Sequence, residues 1–194
     1  MAAPDLPTEH FADAAAWERW LEGYAASSAG VWLKIAKKGA GIPSVTYAEA
    51  LDVALCHGWI DGQKKRFDAQ FFLQRFTPRR ARSTWSKINV AKIEALTAAG
   101  RMRPAGQREV DAARADGRWD AAYDGAKSME VPPELAKALA LARHRKAKAF
   151  FDTLDRTNRY AVCWRVQTAV KAETKQARVE KLVAMLARGE KIHG

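Results

Sequence analysis

The sequence predicts an α+β protein: a small antiparallel sheet with packed helices over 1–103, and an all-helical region over 104–194 that folds back on it. Two observations indicate the sheet. Apolar and polar residues alternate at 31–37, and two further strand-like runs follow at 59–66 and 70–76. A third observation indicates the helical region, because its apolar residues recur at helical spacing. We therefore expect two structural regions.

The first helix is predicted at 11–24, after a proline-marked start that is expected to be loose. Its apolar stripe consists of Phe11, Ala14, Trp17, Leu21 and Tyr24. The strand at 31–37 is expected to bury the face that carries Val31, Leu33 and Ile35, because alternate residues of a strand point to the same side.

A second helix is predicted to begin at a capping box formed by Thr46 and Glu49. Gly58 follows where a left-handed residue would end that helix. The residues expected to point inward are Tyr47, Ala50, Leu51, Ala54 and Leu55.

The two runs after Gly58 predict a hairpin whose second strand ends before Pro78, which has no N–H for the ladder. Phe72 and Phe76 are expected on one face, with Phe71 and Leu73 on the other. The segment 79–82 is expected to be a surface loop. Ser83 is expected to cap a third helix that runs to about residue 98.

The third helix should bury one stripe with a polar residue, Asn89, in its middle; its apolar members are Trp85, Ile88, Ile93 and Leu96. Pro104 starts a fourth helix that Gly117 stops, and Pro132 and Pro133 start a short one. Two later stripes are predicted: Tyr160, Cys163, Trp164, Gln167 and Val170, and then, in a helix opened by Thr174, Val179, Leu182, Val183 and Leu186.

The composition fits a chain with a real core, because 48% of its 194 residues are apolar and 28% are charged. A net charge of +11 favours anionic partners, namely a small anionic ligand, a phosphate group or nucleic acid. An even spread of charge for solubility is the alternative. No run approaches the roughly 18 apolar residues of a membrane span, so we expect a cytoplasmic protein without membrane insertion.

Neither cysteine indicates a metal site or a disulfide, because Cys56 and Cys163 lie in apolar helical patterns without ligand spacing. The sequence predicts no cofactor, and it does not identify a protein partner. A basic run near the C-terminus is read either as a solvated face or as a partner-binding surface; it comprises Lys171, Lys175, Arg178, Lys181 and Arg188.

The strongest candidate site is a cluster of arginines and hydroxyls after the hairpin: Arg75, Thr77, Arg79, Arg80, Arg82 and Ser83. Guanidinium groups, hydroxyls and the free N–H groups of a helix start together favour phosphate or carboxylate oxygens. We expect an anion-recognising cleft with Trp59 and Trp85 as walls, and with Asp61 and Asn89 orienting the ligand. The alternative is a solvated basic loop.

Two other classes of function remain open. A nucleic-acid-binding module would use Lys64, Lys65 and Arg66 between aromatic residues such as Trp32, although no RNP-like pattern is present. An enzyme acting on a phosphorylated or carboxylated small molecule would need His57, Asp52 or Asp61 as acid or base. No nucleophile is tied to these groups by a motif, so the sequence assigns no catalytic residue and favours a non-enzymatic protein.

Three stretches carry a family resemblance: GWIDG at 58–62, RFTPRRARSTWSKIN at 75–89 and AVKAETKQARVEKLVAML at 169–186. They resemble the YdeI/OmpD-associated, or bacteriocin-protection, family, and the similarity extends from about residue 31 to about residue 192. One position departs from the family's pattern, because Lys175 stands where that pattern has an arginine. A lysine there loses the planar bidentate fork.

The resemblance implies a bacterial protein linked to resistance against bacteriocins, cationic antimicrobial peptides or envelope stress, without an established reaction or cofactor. A protein of charge +11 repels a cationic peptide at long range. Direct capture of such a peptide is therefore less attractive than an accessory role through an anionic ligand.

Overall fold

A computed structural model describes residues 6–194. Its contacts divide the chain into two units. The first takes the chain up to Ser83 together with Asn89–Asp120, and the second takes Thr84–Ile88 together with Ala121–Gly194. The fold class is α+β, as predicted. The helix that begins at Pro104 groups with the first unit, and the boundary after residue 103 stays a prediction.

The described residues of the first unit form four strands and four helices. The strands are β1 (Thr8–Glu9), β2 (Val31–Ala36), β3 (Trp59–Arg66) and β4 (Phe71–Pro78). The helices are α1 (Ala14–Tyr24), α2 (Tyr47–Cys56), α3 (Lys87–Ala98) and α4 (Pro104–Ala115), and the first two residues of α3 are grouped with the second unit.

The sheet has the strand order β1-β2-β4-β3. The pairs β2–β4 and β3–β4 are antiparallel, as predicted, but β1 pairs with β2 in parallel. The sheet is therefore mixed, because part of the segment expected to be loose adds a two-residue strand to the edge of β2. Residues 1–5 of that segment lie outside the described residues.

Helix α1 begins later than predicted. Asp13 is its N-cap, and the Asp13 carboxylate accepts a hydrogen bond from the N–H of Ala16 at 2.7 Å. Phe11 is outside the helix, but its ring packs against Trp17 with 5.4 Å between centroids. Trp17 and Leu21 of the predicted stripe are buried, whereas Tyr24 is exposed.

Helix α2 begins at the predicted capping box. The Glu49 carboxylate accepts from the N–H of Thr46 at 2.9 Å, and the Thr46 hydroxyl accepts from the N–H of Glu49 at 3.3 Å. Gly58 has φ +75°, as a left-handed helix end requires. Four of the five predicted inward residues are buried; Tyr47 is exposed, because it opens the helix and its hydroxyl donates to Asp61 at 2.8 Å.

The register of β2 with β4 places Val31 opposite Phe76 and Ile35 opposite Phe72. Opposed residues share a face, so Phe72 and Phe76 lie on one side and Phe71 and Leu73 on the other, as predicted. Pro78 is the last residue of β4.

The core of the first unit lies on the face that carries Val31 and Phe76. Trp17 packs against Phe76 and Trp59 with ring centroids 5.7 Å and 6.4 Å away. Its indole N–H donates to the Ala50 carbonyl at 3.1 Å, so this buried polar atom is satisfied. The aromatic cluster therefore anchors α1 and α2 to the sheet.

Helix α3 begins at Lys87, so the predicted N-cap at Ser83 is wrong. The Ser83 hydroxyl instead accepts from the N–H of Arg80 at 3.2 Å, and the N–H of Ser83 donates to the Arg80 carbonyl at 3.0 Å. These bonds close a turn in which Arg82 has φ +65°. Of the predicted stripe, Ile93 and Leu96 are buried, Ile88 is exposed, and Trp85 is buried but precedes the helix.

The second unit consists of α5 (Pro133–Leu139), a short 3-10 helix (Ala142–His144), α6 (Arg145–Thr153), α7 (Arg156–Gln167) and α8 (Ala172–Ala187). The four predicted inward residues of α8 are all buried. They pack with Leu135, Phe151 and Cys163 in the core of this unit. Val170 was predicted to continue the stripe of α7, but it is 91% exposed because α7 ends at Gln167.

Within residues 6–194, none of the helices has the length and apolarity that crossing a bilayer requires.

Candidate functional site

A pocket of about 710 Å³ in the second unit lies beside α7, α8 and the segment after α8. The apolar stripe of helix α8 faces the core of the unit. A second line of residues, next to that stripe, faces the pocket. The members of that line are Arg178, Lys181, Met185 and Arg188. They are spaced three, four and three residues apart, so the first three share one face of α8, and Arg188, its C-cap, continues the same line.

The pocket combines apolar and basic side chains. Its apolar part consists of Trp164, Leu182, Met185 and Ile192, and its basic part of Arg165, Arg178, Lys181 and Arg188. One carboxylate, that of Glu190, also lines it. Four cations against one anion leave a local excess of positive charge, which favours an anionic occupant.

Arg178 is held in place at the C-terminal end of α7. Its Nη1 donates to the Arg165 carbonyl at 2.7 Å and to the Thr168 hydroxyl at 3.3 Å. The last carbonyls of a helix lack intrahelical partners and carry partial negative charge, so a guanidinium is favourable there. In the part of the chain that the structure describes, the Nε and Nη2 groups of the same guanidinium have no hydrogen-bond partner, so they are available to an anion.

The four cations differ in their partners. Arg188 forms a two-fold pair with Glu190, with Nε–Oε1 and Nη2–Oε2 both 2.8 Å, and this pair holds the pKa of the Glu190 carboxyl below its usual range. Among the described residues, neither Lys181 nor the side chain of Arg165 has an ion pair with a carboxylate. These two exposed groups are therefore the cations most available to a ligand.

The segment after α8 is fixed to α7 by Asn158, which is 3% exposed. Its Oδ1 accepts from the N–H groups of Ile192 and His193 at 3.2 Å and 2.8 Å. Its Nδ2 donates to the His193 carbonyl at 3.2 Å and to the Asp155 carboxylate at 3.0 Å. This bonding holds Ile192 where it contributes to the pocket.

The first unit has a smaller pocket of about 540 Å³, lined in part by His57, Trp59, Arg79, Arg103 and Arg108, and also by Glu22 and Glu109. Arg103 Nη2 lies 2.9 Å from a Glu18 oxygen and 3.3 Å from a Glu22 oxygen. The positive charge here is thus largely neutralised by glutamates of the same unit.

His57 is the histidine of this smaller pocket and the C-cap of α2. Burial lowers the pKa of His57, and the nearby Glu18 opposes this shift. The His57 Nε2 atom is buried, 3.8 Å from a Glu18 oxygen, and has no hydrogen-bond partner in the described part of the chain. Burial therefore favours the neutral imidazole.

Of the ten residues predicted for the anion cleft, Trp59 and Arg79 line this smaller pocket and the other eight do not. Arg79 is 8% exposed, so the prediction that 79–82 is a surface loop is wrong for Arg79. The backbone explains this, because the N–H of Arg79 donates to the Gly58 carbonyl at 3.0 Å and draws the residue toward the end of α2.

The remaining residues of β3 and β4 have local roles. Arg75 packs against Gly62, where an added Cβ would lie 3.1 Å from Arg75 Nε. The Thr77 methyl packs against Gly30 in the same way, at 2.8 Å from a Cβ placed there. The Asp61 carboxylate accepts a hydrogen bond from the Tyr47 hydroxyl. Burial raises the pKa of Tyr47, and the nearby Asp61 carboxylate raises it further.

The last predicted residues lie in or after the turn that follows β4. Arg80 and Arg82 are exposed, and Ser83 is half-buried. Trp85 is 2% exposed and belongs to the second unit, where its carbonyl accepts from the N–H of Tyr123 at 2.9 Å. Asn89 is half-buried in the first turn of α3.

The residues considered as acid or base each have a different partner. Asp52 pairs with Lys92 at 2.6 Å, Asp61 with Tyr47, and His57 faces Glu18. Acid–base catalysis needs groups that converge on a reacting atom. These contacts instead place the three groups in separate interactions.

Sequence reasoning predicts no pocket here; it treats three of the pocket's cations as part of a basic run that is either a solvated face or a partner-binding surface. Arg178, Lys181 and Arg188 were recognised as a basic run, but Trp164, Arg165 and Ile192 were not linked to it. Met185, in line with the three cations on α8, is the signal that could have indicated an apolar side to that run. Lys175, the departure from the family pattern, pairs with the half-exposed Glu134 at 3.0 Å.

Two family models match the chain. Residues 9–109, more than half of the chain, match the family described as Domain of unknown function (DUF8412). The chain belongs to this family. The matched segment 9–109 contains two of the three stretches that carry the family resemblance, those at 58–62 and 75–89.

Residues 128–189 match the family described as Bacteriocin-protection, YdeI or OmpD-Associated, which confirms the predicted family for this part of the chain. The match includes the third stretch, at 169–186, and most of the residues around the larger pocket. No curated protein and no solved structure matches the chain.

Proposed function

We propose that this is a non-enzymatic binding protein whose second unit takes a small anionic molecule with an apolar group. The observation that carries the proposal is the composition of the larger pocket, where Lys181, Arg165 and Arg178 stand beside Trp164 and Met185. An anion with an aromatic or aliphatic part can use both kinds of surface at once. A purely polar anion would leave the apolar surface uncovered.

The energetics favour such an amphipathic ligand. Exposed cations alone contribute little, because water and salt screen them. An apolar group that covers Trp164 and Met185 adds the hydrophobic term and also excludes water from the ion contacts. Arg178 strengthens the site further, since its guanidinium is already held by α7 and loses little rotational freedom on binding.

The family description suggests a biological setting, because it names bacteriocin protection. A protein with net charge +11 repels cationic peptides at long range. We therefore propose an accessory role in resistance, exerted through the anionic ligand. The cytoplasmic location stays a prediction of the sequence.

The arginine cluster of the first unit stays a separate proposal for an anion site. Arg103 is already paired with two glutamates, and only Trp59 and Arg79 of the predicted cluster line the smaller pocket. We expect its affinity for anions to be lower than that of the larger pocket. The exposed pair Arg80 and Arg82 provides the variants that test it.

The test is calorimetric titration with phenyl phosphate, inorganic phosphate and benzyl alcohol. Phenyl phosphate carries both a charge and a ring, and the other two carry one feature each. We expect phenyl phosphate to bind most tightly. The double variant Arg165→Gln/Lys181→Gln should weaken it about tenfold, equivalent to about 1.4 kcal/mol.

The matched control is Lys127→Gln/Arg145→Gln, which removes the same charges from exposed positions in the same unit that line neither pocket. It should leave the affinity within about twofold. If both double variants weaken phenyl phosphate binding equally, the binding depends on net charge and not on the larger pocket. If only Arg80→Gln/Arg82→Gln weakens phenyl phosphate binding, the anion site lies in the first unit.

A further inference from the structure

A second basic surface lies at the turn end of the β3–β4 hairpin in the first unit. A groove of about 520 Å³ is lined there by five cations and one aromatic ring: Lys37, Lys38, Lys64, Lys65, Arg66 and Phe72. We call it the hairpin groove. Among the described residues that line this groove, none has a carboxylate side chain. Its lining therefore carries five positive charges and no negative one, and the nearest acidic residue in the hairpin turn is Asp68, whose carboxylate accepts from the N–H groups of Gln70 and Phe71.

The cations of the hairpin groove are exposed and are not held by acidic side chains. In the described part of the chain none of the five has an ion pair. Lys37 Nζ donates to the Asp68 carbonyl at 2.7 Å, which is a neutral acceptor. β3 is one of the two edge strands of the sheet, so Lys64, Lys65 and Arg66 lie along an edge.

Aromatic rings lie directly beneath two of these amines. Lys64 Nζ is 4.0 Å from the centroid of Phe72, and Lys65 Nζ is 4.0 Å from the centroid of Trp32. Successive residues of a strand point to opposite faces, so both faces of the hairpin end carry a ring with a lysine over it. Phe67, at the tip, is 50% exposed.

We propose that the hairpin groove binds single-stranded nucleic acid. Phosphates along the strand would draw Lys64 away from the Phe72 ring, and a base would then stack on the uncovered ring. A positive track combined with sequence-tolerant stacking is the usual way in which proteins hold single strands. This site goes beyond the function proposed for the second unit and uses none of its residues.

The aromatic rings favour a single strand over other polyanions. Paired bases in a duplex keep their faces stacked on one another, so they cannot lie on Phe72. An acidic peptide or an anionic membrane would satisfy the five charges but would offer no π-faces for the rings. The stacking contribution is therefore the feature that the experiment isolates.

The experiment measures fluorescence anisotropy of a short labelled single-stranded oligonucleotide at about 50 and about 200 mM salt. Five phosphate contacts predict a salt slope of about −3.5, hence roughly 100-fold weaker binding at the higher salt. The triple variant Lys64→Gln/Lys65→Gln/Arg66→Gln should bind more weakly and lower the slope to about −1.4. Phe72→Leu should weaken binding without changing the slope.

The matched control is Lys127→Gln/Arg145→Gln/Lys146→Gln, which removes two lysines and one arginine from exposed positions of the second unit. It should retain the slope. An equal loss in both triple variants would overturn the proposal, and so would equally tight binding of the duplex form or of a heparin fragment. Full affinity in Phe72→Leu would likewise overturn it, because binding would then not involve stacking on that ring.

Discussion

The pockets of the two units contain similar numbers of cations, but they use them differently. In the first unit Arg103 is committed to Glu18 and Glu22, and Arg79 is buried. In the second unit Lys181 and Arg165 are exposed beside an apolar surface. The difference teaches that arginine count does not locate an anion site. What matters is whether the protein's own carboxylates already occupy the cations.

The two pockets are also held by different interactions. In the first unit, α4 approaches the end of α2 so closely that a Cβ at Gly106 would lie 2.2 Å from the Cys56 carbonyl oxygen. In the second unit, the buried amide of Asn158 fixes the segment that contains Ile192. Close backbone contact therefore shapes one pocket and side-chain hydrogen bonding shapes the other.

The largest effect should come from Gly106→Ala, which tests whether backbone contact holds the first pocket. The new methyl would collide with rigid backbone, so α4 has to move from α2. We expect a loss of about 3 kcal/mol in the free energy of unfolding, at the upper end for overpacking. Denaturant unfolding of the purified variant measures it.

Gly23→Ala is the matched control for this change. Gly23 lies in α1, and a Cβ there meets nothing within 4 Å. Alanine is the better helix former by about 0.5–1 kcal/mol, so the control should be unchanged or more stable. A stability loss of the same size in both variants would show that the close approach at Gly106 is not the cause.

A smaller loss is expected from Asn158→Ala, which tests the hydrogen-bonded segment of the second pocket. The change leaves the N–H groups of Ile192 and His193 without their acceptor, which should cost about 2 kcal/mol in unfolding free energy. Phenyl phosphate binding should weaken as well, since Ile192 lines the pocket.

Gln176→Ala provides the comparison for Asn158→Ala. It removes an amide that donates to Glu180 on the exposed side of α8, and such surface changes usually stay within about 0.5 kcal/mol. Unchanged stability of Asn158→Ala would contradict the view that side-chain bonding holds the segment after α8.

Sequence reasoning succeeds where the cause of a structure is local. The capping box at Thr46 and Glu49 lies within four residues and is confirmed by its hydrogen bonds. The buried faces of β2 and α8 follow from the period of their own apolar residues. The left-handed Gly58 follows from its position after a helix.

Sequence reasoning fails where contacts with a distant segment determine where an element begins. Ser83 carries the signal of an N-cap, but Ser86 pairs with Tyr123 in a parallel bridge, and the Tyr123 carbonyl accepts from the N–H of Lys87 at 2.9 Å. These contacts set the start of α3 from a point more than thirty residues away. No local pattern contains that information.

The candidate sites show the same division. The four clustered arginines are neighbours in sequence, but Arg75 packs against Gly62 while Arg79 is buried near Gly58. The larger pocket combines α7, α8 and the segment after α8, so only its α8 line could be recognised in advance. Clustering in the chain is therefore weaker evidence for a site than a shared helical face with both charge and apolar character.

The smallest expected effect is on the pH dependence of stability, and it tests the charge balance of the first unit's pocket through His57. Burial lowers the pKa of His57 below its ordinary value, so the unfolded chain takes up a proton at about pH 6.5 while the folded protein does not. Stability from this group is therefore present above about pH 6.5 and is lost as the pH falls through the lower folded pKa.

His57→Gln should accordingly reduce the fall in unfolding free energy between about pH 7.5 and about pH 5.5. His10→Gln is the control for replacing a histidine, because His10 is exposed and lines neither pocket. The effect should be modest, because Glu18 stabilises the charged imidazole and opposes the desolvation. Identical pH profiles for His57→Gln and the wild type would mean that the first pocket accepts a charged histidine. Its balance of charge would then be more negative than its arginines suggest, and the contrast with the second pocket would widen.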